Sequence, residues 1–413
     1  MHLSTDNHII DKILSSFLVN VLVIAFFALR FVQFSDIHAF AGNGRWQTYE
    51  LAIDYSFGFV KRAILGSLVS ILSDSFHLGF TNAVIVFMYI EEFFFTVAIF
   101  GVLVYVINRY KDPAMNLMIL LYLSTNLVGF YYFDWGEPDI VLITLTIVAC
   151  LLIIKDKYLW IIPVLLSICV MIHEAYVMMY FGLVMSLLLI RIVQCKNTSD
   201  KRRYISVLIS TGLICSLLFV YFYYFSRYAF NSNLDVFLNK AASRVDFVDT
   251  TAANLSYAFW GVGAPSGAMW VEGVPTNSFW IRMSANAVTL IVMIPLLCYK
   301  VAFWKDIINS EDSRVKRVAY LLCANSVLLT LPLILIQTDQ GRWFYDIVFT
   351  DFMMIVFCYL MNTEIVSKIL NRVLKRSILN FLLFVAYLCI FSNPSKQLID
   401  NLIGNIGAWV ISL

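Results

Sequence analysis

Asn82–Ile107 reads NAVIVFMYIEEFFFTVAIFGVLVYVI, and its only charged side chains are Glu91 and Glu92. A helix needs about 20 apolar residues to cross a hydrocarbon core of roughly 30 Å, so this stretch is long enough to span a membrane. The two glutamates lie at most roughly 15 Å along such a helix. A carboxyl is costly in lipid at that depth, so at least one is expected to face protein or water. Ten further apolar stretches fall at 13–33, 114–132, 139–154, 158–172, 175–193, 204–225, 283–302, 318–336, 345–361 and 377–392. Those at 139–154, 158–172 and 377–392 are short for a bilayer and read as tilted, re-entrant or lengthened by their flanks. The stretch at 13–33 has no small-residue cleavage site behind it, so it reads as a retained helix rather than a signal peptide.

Composition agrees with this reading. Of 413 residues, 61% are apolar and 14% charged, and the mean hydropathy is +0.81. A soluble domain is nearer half apolar and a quarter charged. The balance excludes a soluble globule, a disordered chain, a collagen and a small disulfide scaffold. Continuous rather than alternating apolar segments argue against an outer-membrane barrel. A net charge of +2 gives no sign of a nucleic-acid partner. Of the eight cysteines, Cys195 lies at a loop end and the others fall in apolar segments. They form no CxxC pair and no metal-ligand spacing. With no internal repeat or linker, the expectation is an all-α polytopic transmembrane bundle of 11 helices, one domain over 1–413.

Lys and Arg set the orientation. With the N-terminus inside, the cytoplasmic side receives 19 of them and the outer side 9. The stretch Ala63–Leu72 is apolar but only ten residues long, with Asp74 and His77 close behind. If it spanned, every later loop would change sides and the bias would invert. Residues 34–81 are therefore expected to form a long outer loop with helices lying in the interface. The inner segments Asn108–Pro113, Lys155–Lys157, Lys196–Arg203, Lys305–Arg317 and Glu364–Arg376 read as short basic loops. They hold no Gly-rich phosphate cradle, which argues against nucleotide chemistry at that face.

The outer face carries the unusual polar groups. The first loop holds Asp36, His38, Arg45, Glu50 and then Asp54-Tyr-Ser-Phe-Gly-Phe-Val-Lys61-Arg62. The third helix exits into Asp134-Trp-Gly-Glu137-Pro-Asp139, and the fifth and sixth meet at His173-Glu174. The largest outer loop is 226–281, and the ninth helix exits into Asp339-Gln-Gly-Arg342-Trp343. Five loops thus bring acids, a histidine and arginines to one face. Each group also has a plainer use. Asp54 serves equally well as a helix N-cap, and Asp139 can cap the fourth helix. Lys61 and Arg62 can snorkel to lipid headgroups. His173 and Glu174 can be a cap or an interhelical pair, although charge at that depth usually lines a wet cavity.

These residues suit a reaction on a lipid-borne phosphate. Arg presents a planar, always-charged fork to phosphate oxygens. Lys61, Arg62, Asp139, Asp339, Arg342 and Trp343 are the candidate substrate-binding residues. A sugar transfer needs a base for the acceptor hydroxyl, which a carboxylate or histidine supplies. Asp54, Asp134, Glu137, His173 and Glu174 are the catalytic candidates. The donor set neither requires nor rules out a divalent cation, and no other cofactor is implied.

The layout resembles the GT-C superfamily of integral-membrane glycosyltransferases. The likeness lies in a long first outer loop with interfacial helices and an Asp, an acidic cluster at the third helix exit, and a late outer Arg. It covers about the first 200 residues plus one late motif. It implies a polyprenyl-phosphate-linked sugar donor, a lipid-linked glycan acceptor and an active face on the periplasmic side of a bacterial inner membrane. It also implies Asp54 as base, Asp134 or Glu137 as second acid and Arg342 as phosphate partner. The chain departs from many members in lacking a sizeable soluble C-terminal domain and a paired-acid motif at the first helix exit, where Asp36 stands alone. Size and aromatic content also resemble O-antigen and capsule proteins, either a branch-adding glycosyltransferase or an O-antigen polymerase. The outer loop 226–281 supplies only Arg227, Lys240 and Arg244, with Arg282 at its edge. That basic supply is thin for a polymerase. A transporter or flippase should show paired halves and broken helices near the midplane. Here Pro163 and Pro332 are isolated and the polar clusters share one face.

Overall fold

The computed structural model describes residues 14–33, 51–57, 59, 61–125, 138–225, 270–271, 274–275, 277–336, 340–374 and 378–391. Local chemistry sets several helix ends. Helix α1 covers Ser16–Gln33, α2 Ala63–Phe76 and α3 Phe80–Tyr110. Lys111 closes α3 in the left-handed region (φ 51°). Asp112 then accepts from the Ala114 N–H at 2.9 Å, and Pro113 opens α4, Pro113–Ser124. A carboxylate at the N-cap and proline in the first turn are the sequence signature of a helix start. Helix α5 is Pro138–Lys155, α6 Ile161–Ile172, and a 3₁₀ turn over Glu174–Met178 leads to α7, Phe181–Gln194. Asn197 accepts from the Ser199 N–H at 3.0 Å and starts α8, Thr198–Val220.

Later helices are more broken. Strands β1 (Trp270–Val271) and β2 (Val274–Pro275) form a short antiparallel ladder. Helices α9 (Asn277–Val292) and α10 (Ile294–Asn309) are divided at Met293, where Pro295 cannot donate to the ladder. The segment expected as one helix at 318–336 is α11 (Arg314–Ala324), a 3₁₀ turn (Ser326–Thr330) and α12 (Leu331–Ile336). Helix α13 is Gln340–Met361, α14 Thr363–Val373 and α15 Ile378–Phe391. Helix α14 corrects the expected loop at Glu364–Arg376. Val366, Ile369 and Leu370 form a buried stripe, while Glu364, Lys368 and Arg372 stay in solvent. The i, i+3, i+4 spacing of that stripe is the helical period.

The chain is thus a helical membrane protein. Among the described residues, five helical segments are long and apolar enough to cross: Phe80–Tyr110, Pro138–Lys155, Thr198–Val220, Arg314–Ile334 and Arg342–Met361. Six other apolar helices are shorter, including Ile161–Ile172 and Phe181–Gln194. Helix α7 sits centrally, packed against α5, α8, α11 and α13. Helix α13 is the most enclosed of the candidate spans.

Hydrogen bonds assign the loops to two ends of the bundle. At one end Asp156 accepts from Arg203 at 2.5 Å and from the Tyr204 hydroxyl at 2.7 Å, and Arg191 donates to the Ile154 carbonyl at 2.7 Å. At the other end the Arg62 N–H donates to the Met171 carbonyl at 3.2 Å, and Asp139 meets Arg342. Asp139 and Lys155 bracket α5, about 24 Å apart at 1.5 Å per residue. The basic loops and the acid-bearing segments therefore lie at opposite ends, as the charge pattern predicts.

Candidate functional site

The segment before Lys61 is pinned to α2 by small residues. A Cβ at Gly66 would overlap the carbonyl oxygens of Leu51 and Ile53, so only glycine allows this approach. One position on, Ser67 accepts from the Tyr55 N–H at 3.0 Å. One turn further, Ser70 donates to Asp54 Oδ2 at 2.9 Å. Asp54 Oδ1 accepts from the Ser56 N–H at 2.9 Å and from the Ser56 hydroxyl. Asp54 is buried, and this local side-chain-to-backbone bond is the kind that organises a turn. Phe59 then packs on Tyr55, Tyr221 and Phe222.

Lys61 and Arg62 follow and reach the 3₁₀ turn between α6 and α7. Lys61 Nζ lies 3.2 Å from Glu174 Oε1, and Arg62 Nε donates to Glu174 Oε2 at 3.3 Å. Glu174 is 1% exposed and Arg62 9%. Arg62 holds a left-handed backbone (φ 63°), an unfavourable conformation for a residue with a Cβ. His173 ends α6 with an extended backbone, and its Nδ1 accepts from the Ala175 N–H at 3.1 Å. In neutral imidazole the proton then sits on Nε2, which makes His173 a donor toward any ligand rather than a ready base.

The third component comes from α5 and α13. Arg342 donates through Nη2 to Asp139 Oδ1 at 2.7 Å and through Nε to Oδ2, a bidentate pair buried on both sides. The Arg342 guanidinium also lies over the Trp343 ring, 4.8 Å from its centre. One turn along α13, Asp346 accepts from the Tyr180 hydroxyl. The fields of Arg62, Arg342 and Lys61 all reach His173. Burial and these cations, outweighing the opposing Glu174, push its imidazole well below the usual range and keep it neutral. Burial alone would raise the Glu174 carboxyl, but Arg62 and Lys61 hold it well below the ordinary carboxylate range. The result is a largely buried cluster in which Lys61 and Arg62 face Glu174 and Arg342 faces Asp139 around a neutral histidine, with the carboxyl of Asp346 one turn along α13.

Seven of the candidate residues are thereby placed in this region: Lys61, Arg62, Asp139, His173, Glu174, Arg342 and Trp343. Asp54 belongs to the docked segment seven residues before Lys61, paired with Ser56 and Ser70. Asp134, Glu137 and Asp339 lie outside the described residues, as does most of the loop 226–281. The sequence reading missed Tyr180 as a partner of Asp346. The Lys and Arg count takes Lys300 as a cytoplasmic residue, yet it lies within α10 with Nζ 3.0 Å from Asp351 Oδ1 inside α13, and the Tyr122 hydroxyl donates to Asp351 Oδ2 at 2.6 Å. Among the described residues no three His, Cys, Asp or Glu side chains stand together as metal ligands. No protein-family profile, curated protein or solved structure matches this chain.

Proposed function

We propose that this chain is an integral-membrane glycosyltransferase of the GT-C kind. It would take a sugar from a polyprenyl-phosphate-linked donor and pass it to a lipid-linked glycan at the outer face of a bacterial inner membrane. The observation that supports this reading is the gathering of Lys61, Arg62 and Arg342 beside His173. Three cations gathered away from water suit a phosphate that stays charged as it leaves. We further propose eleven crossings, with the shorter apolar helices spanning beside the five long ones. The segregation of basic loops from the acid-bearing end supports that count and its orientation.

In the reaction, an acceptor hydroxyl oxygen attacks the anomeric carbon. The bond from that carbon to the phosphate oxygen breaks, and the electron pair leaves with the lipid phosphate. Lys61, Arg62 and Arg342 receive that charge, and the neutral His173 donates through Nε2. The hydroxyl proton passes to a carboxylate, with Asp54 the candidate from the docked loop. No protonated leaving-group acid is needed, because the phosphate departs as an anion.

The test is to delete the gene and resolve the surface polysaccharide on a gel. The expected result is an intact repeat ladder lacking one branch sugar. Collapse to single repeat units would instead mark a polymerase. Unchanged polysaccharide would overturn the reading.

A further inference from the structure

Trp343 is 4% exposed, and its indole Nε1–H has no hydrogen-bond partner among the described residues. A buried donor without an acceptor is costly, so each one in a folded protein calls for an account. The residue occupies a particular place. It follows Arg342, whose guanidinium covers one face of its ring. That face is closed to a stacking sugar, and the N–H at the ring edge is a donor that the described residues leave unused. Thr350, two turns deeper on the same face of α13, is 1% exposed and its Oγ1 also lacks a partner among the described residues. Between them sits Asp346, engaged by Tyr180. Residues spaced i, i+3 and i+7 share one side of a helix. This side of α13 thus carries polar groups beyond what internal packing satisfies.

We propose that the Trp343 indole N–H is a hydrogen-bond donor to a phosphate oxygen of the lipid-linked ligand, acting beside Arg342 as a positioning contact. The inference rests on the phosphate-binding reading above and adds a specific atom to it. Indole is a donor only, so it fits an acceptor-only phosphate oxygen better than a sugar hydroxyl that must also donate.

The test uses the full chain in phosphatidylcholine nanodiscs, titrated with polyprenyl phosphate and, separately, with the uncharged polyprenol. Trp343→Phe removes the N–H and keeps an aromatic ring. Binding of polyprenyl phosphate should weaken by about tenfold, the scale of one lost hydrogen bond to a charged group. Binding of polyprenol should not change. The thermal midpoint of the ligand-free protein should change little, because relief of the unsatisfied donor offsets part of the lost ring packing. Equal affinity of wild type and Trp343→Phe for polyprenyl phosphate would overturn the proposal, as would equal weakening for polyprenol, which would mark a tail contact. If Trp343→Phe packs poorly, 3-benzothienylalanine at position 343 keeps the two-ring shape without the N–H, and the same outcomes apply. Wild type that prefers polyprenyl phosphate no more than polyprenol would bring down the phosphate reading itself, and this inference with it.

Discussion

Glu174 is cut off from water, and Lys61 and Arg62 hold its charge. Removing one member of such a buried set leaves uncompensated charge, at a cost of roughly 3–5 kcal/mol. Glu174→Ala should therefore lower the thermal midpoint sharply, and adding Lys61→Met and Arg62→Leu should recover much of the loss. A triple variant no more stable than the single one would show that the charges are not a coupled set. His173 gives a pH signature. Its folded pKa is depressed, so the folded state binds fewer protons than the unfolded one, and stability falls as pH drops below about 6.5. One proton contributes at most about 1.4 kcal/mol per pH unit. Glu174 is also depressed, but its contribution is lost only from about pH 4.3 downward. Between pH 7 and 5.5 the wild-type midpoint should fall, and His173→Gln should flatten that slope. An unchanged slope would mean that another group titrates there. Asp54 separates two roles by another comparison. Asp54→Asn removes the carboxylate while its amide can still hydrogen-bond the Ser70 hydroxyl, and Ser70→Ala breaks that bond while keeping the carboxylate. A base at Asp54 predicts that Asp54→Asn abolishes glycan product in cells while Ser70→Ala retains part of it. At this scale the sequence showed which polar residues are unusual for their depth. It did not show that Glu174 belongs to Lys61 and Arg62, since a pairing more than a hundred residues apart follows from how α2 meets α6.

Single elements carry the candidate site because their small or breaking residues let other segments approach. Gly66 is the clearest case, since the carbonyls of Leu51 and Ile53 occupy the space of its missing side chain. Gly66→Ala should lift 51–56 from α2 and loosen Asp54 and Lys61 together. The loss should read as faster proteolysis within 51–62 and a marked drop in glycan product, with Gly101→Ala, where a Cβ meets nothing, as the neutral control. Equal behaviour of the two would show that the close approach is not needed. The glycine was visible in the sequence, but its role depends on a neighbour from outside its helix. The same limit explains the breaks at Met293 and within 314–336. Apolar runs announce membrane helices by composition, and composition continues across a turn that proline or a 3₁₀ segment interrupts. Helix α14 was legible from its apolar stripe. Four basic residues between 368 and 376 dominate its charge pattern and give the segment the look of a loop.

Across the whole molecule the two ends differ in kind. One joins basic loops through pairs such as Arg203 with Asp156 and Arg372 with Asp306. The other brings Lys61, Arg62, Arg342, Asp139, His173 and Glu174 together. The count of Lys and Arg predicts the first end to be cytoplasmic. Lys300 and Asp351 show where that count is coarse, because both lie inside helices and meet there. The orientation can be tested with single cysteines in a background where Cys195, Cys298 and Cys389, the native cysteines not fully buried, are replaced. Ser75→Cys lies at the exposed C-terminal end of α2, about 20 Å along the helix from Arg62, and Thr198→Cys lies at the start of α8. A membrane-impermeant maleimide applied to spheroplasts should label position 75 at once and position 198 only after the membrane is opened. The reverse pattern would turn the cation cluster toward the cytoplasm. A donor presented in the outer leaflet could then not reach it, and transfer at the outer face would have to be abandoned even if every residue-scale prediction held.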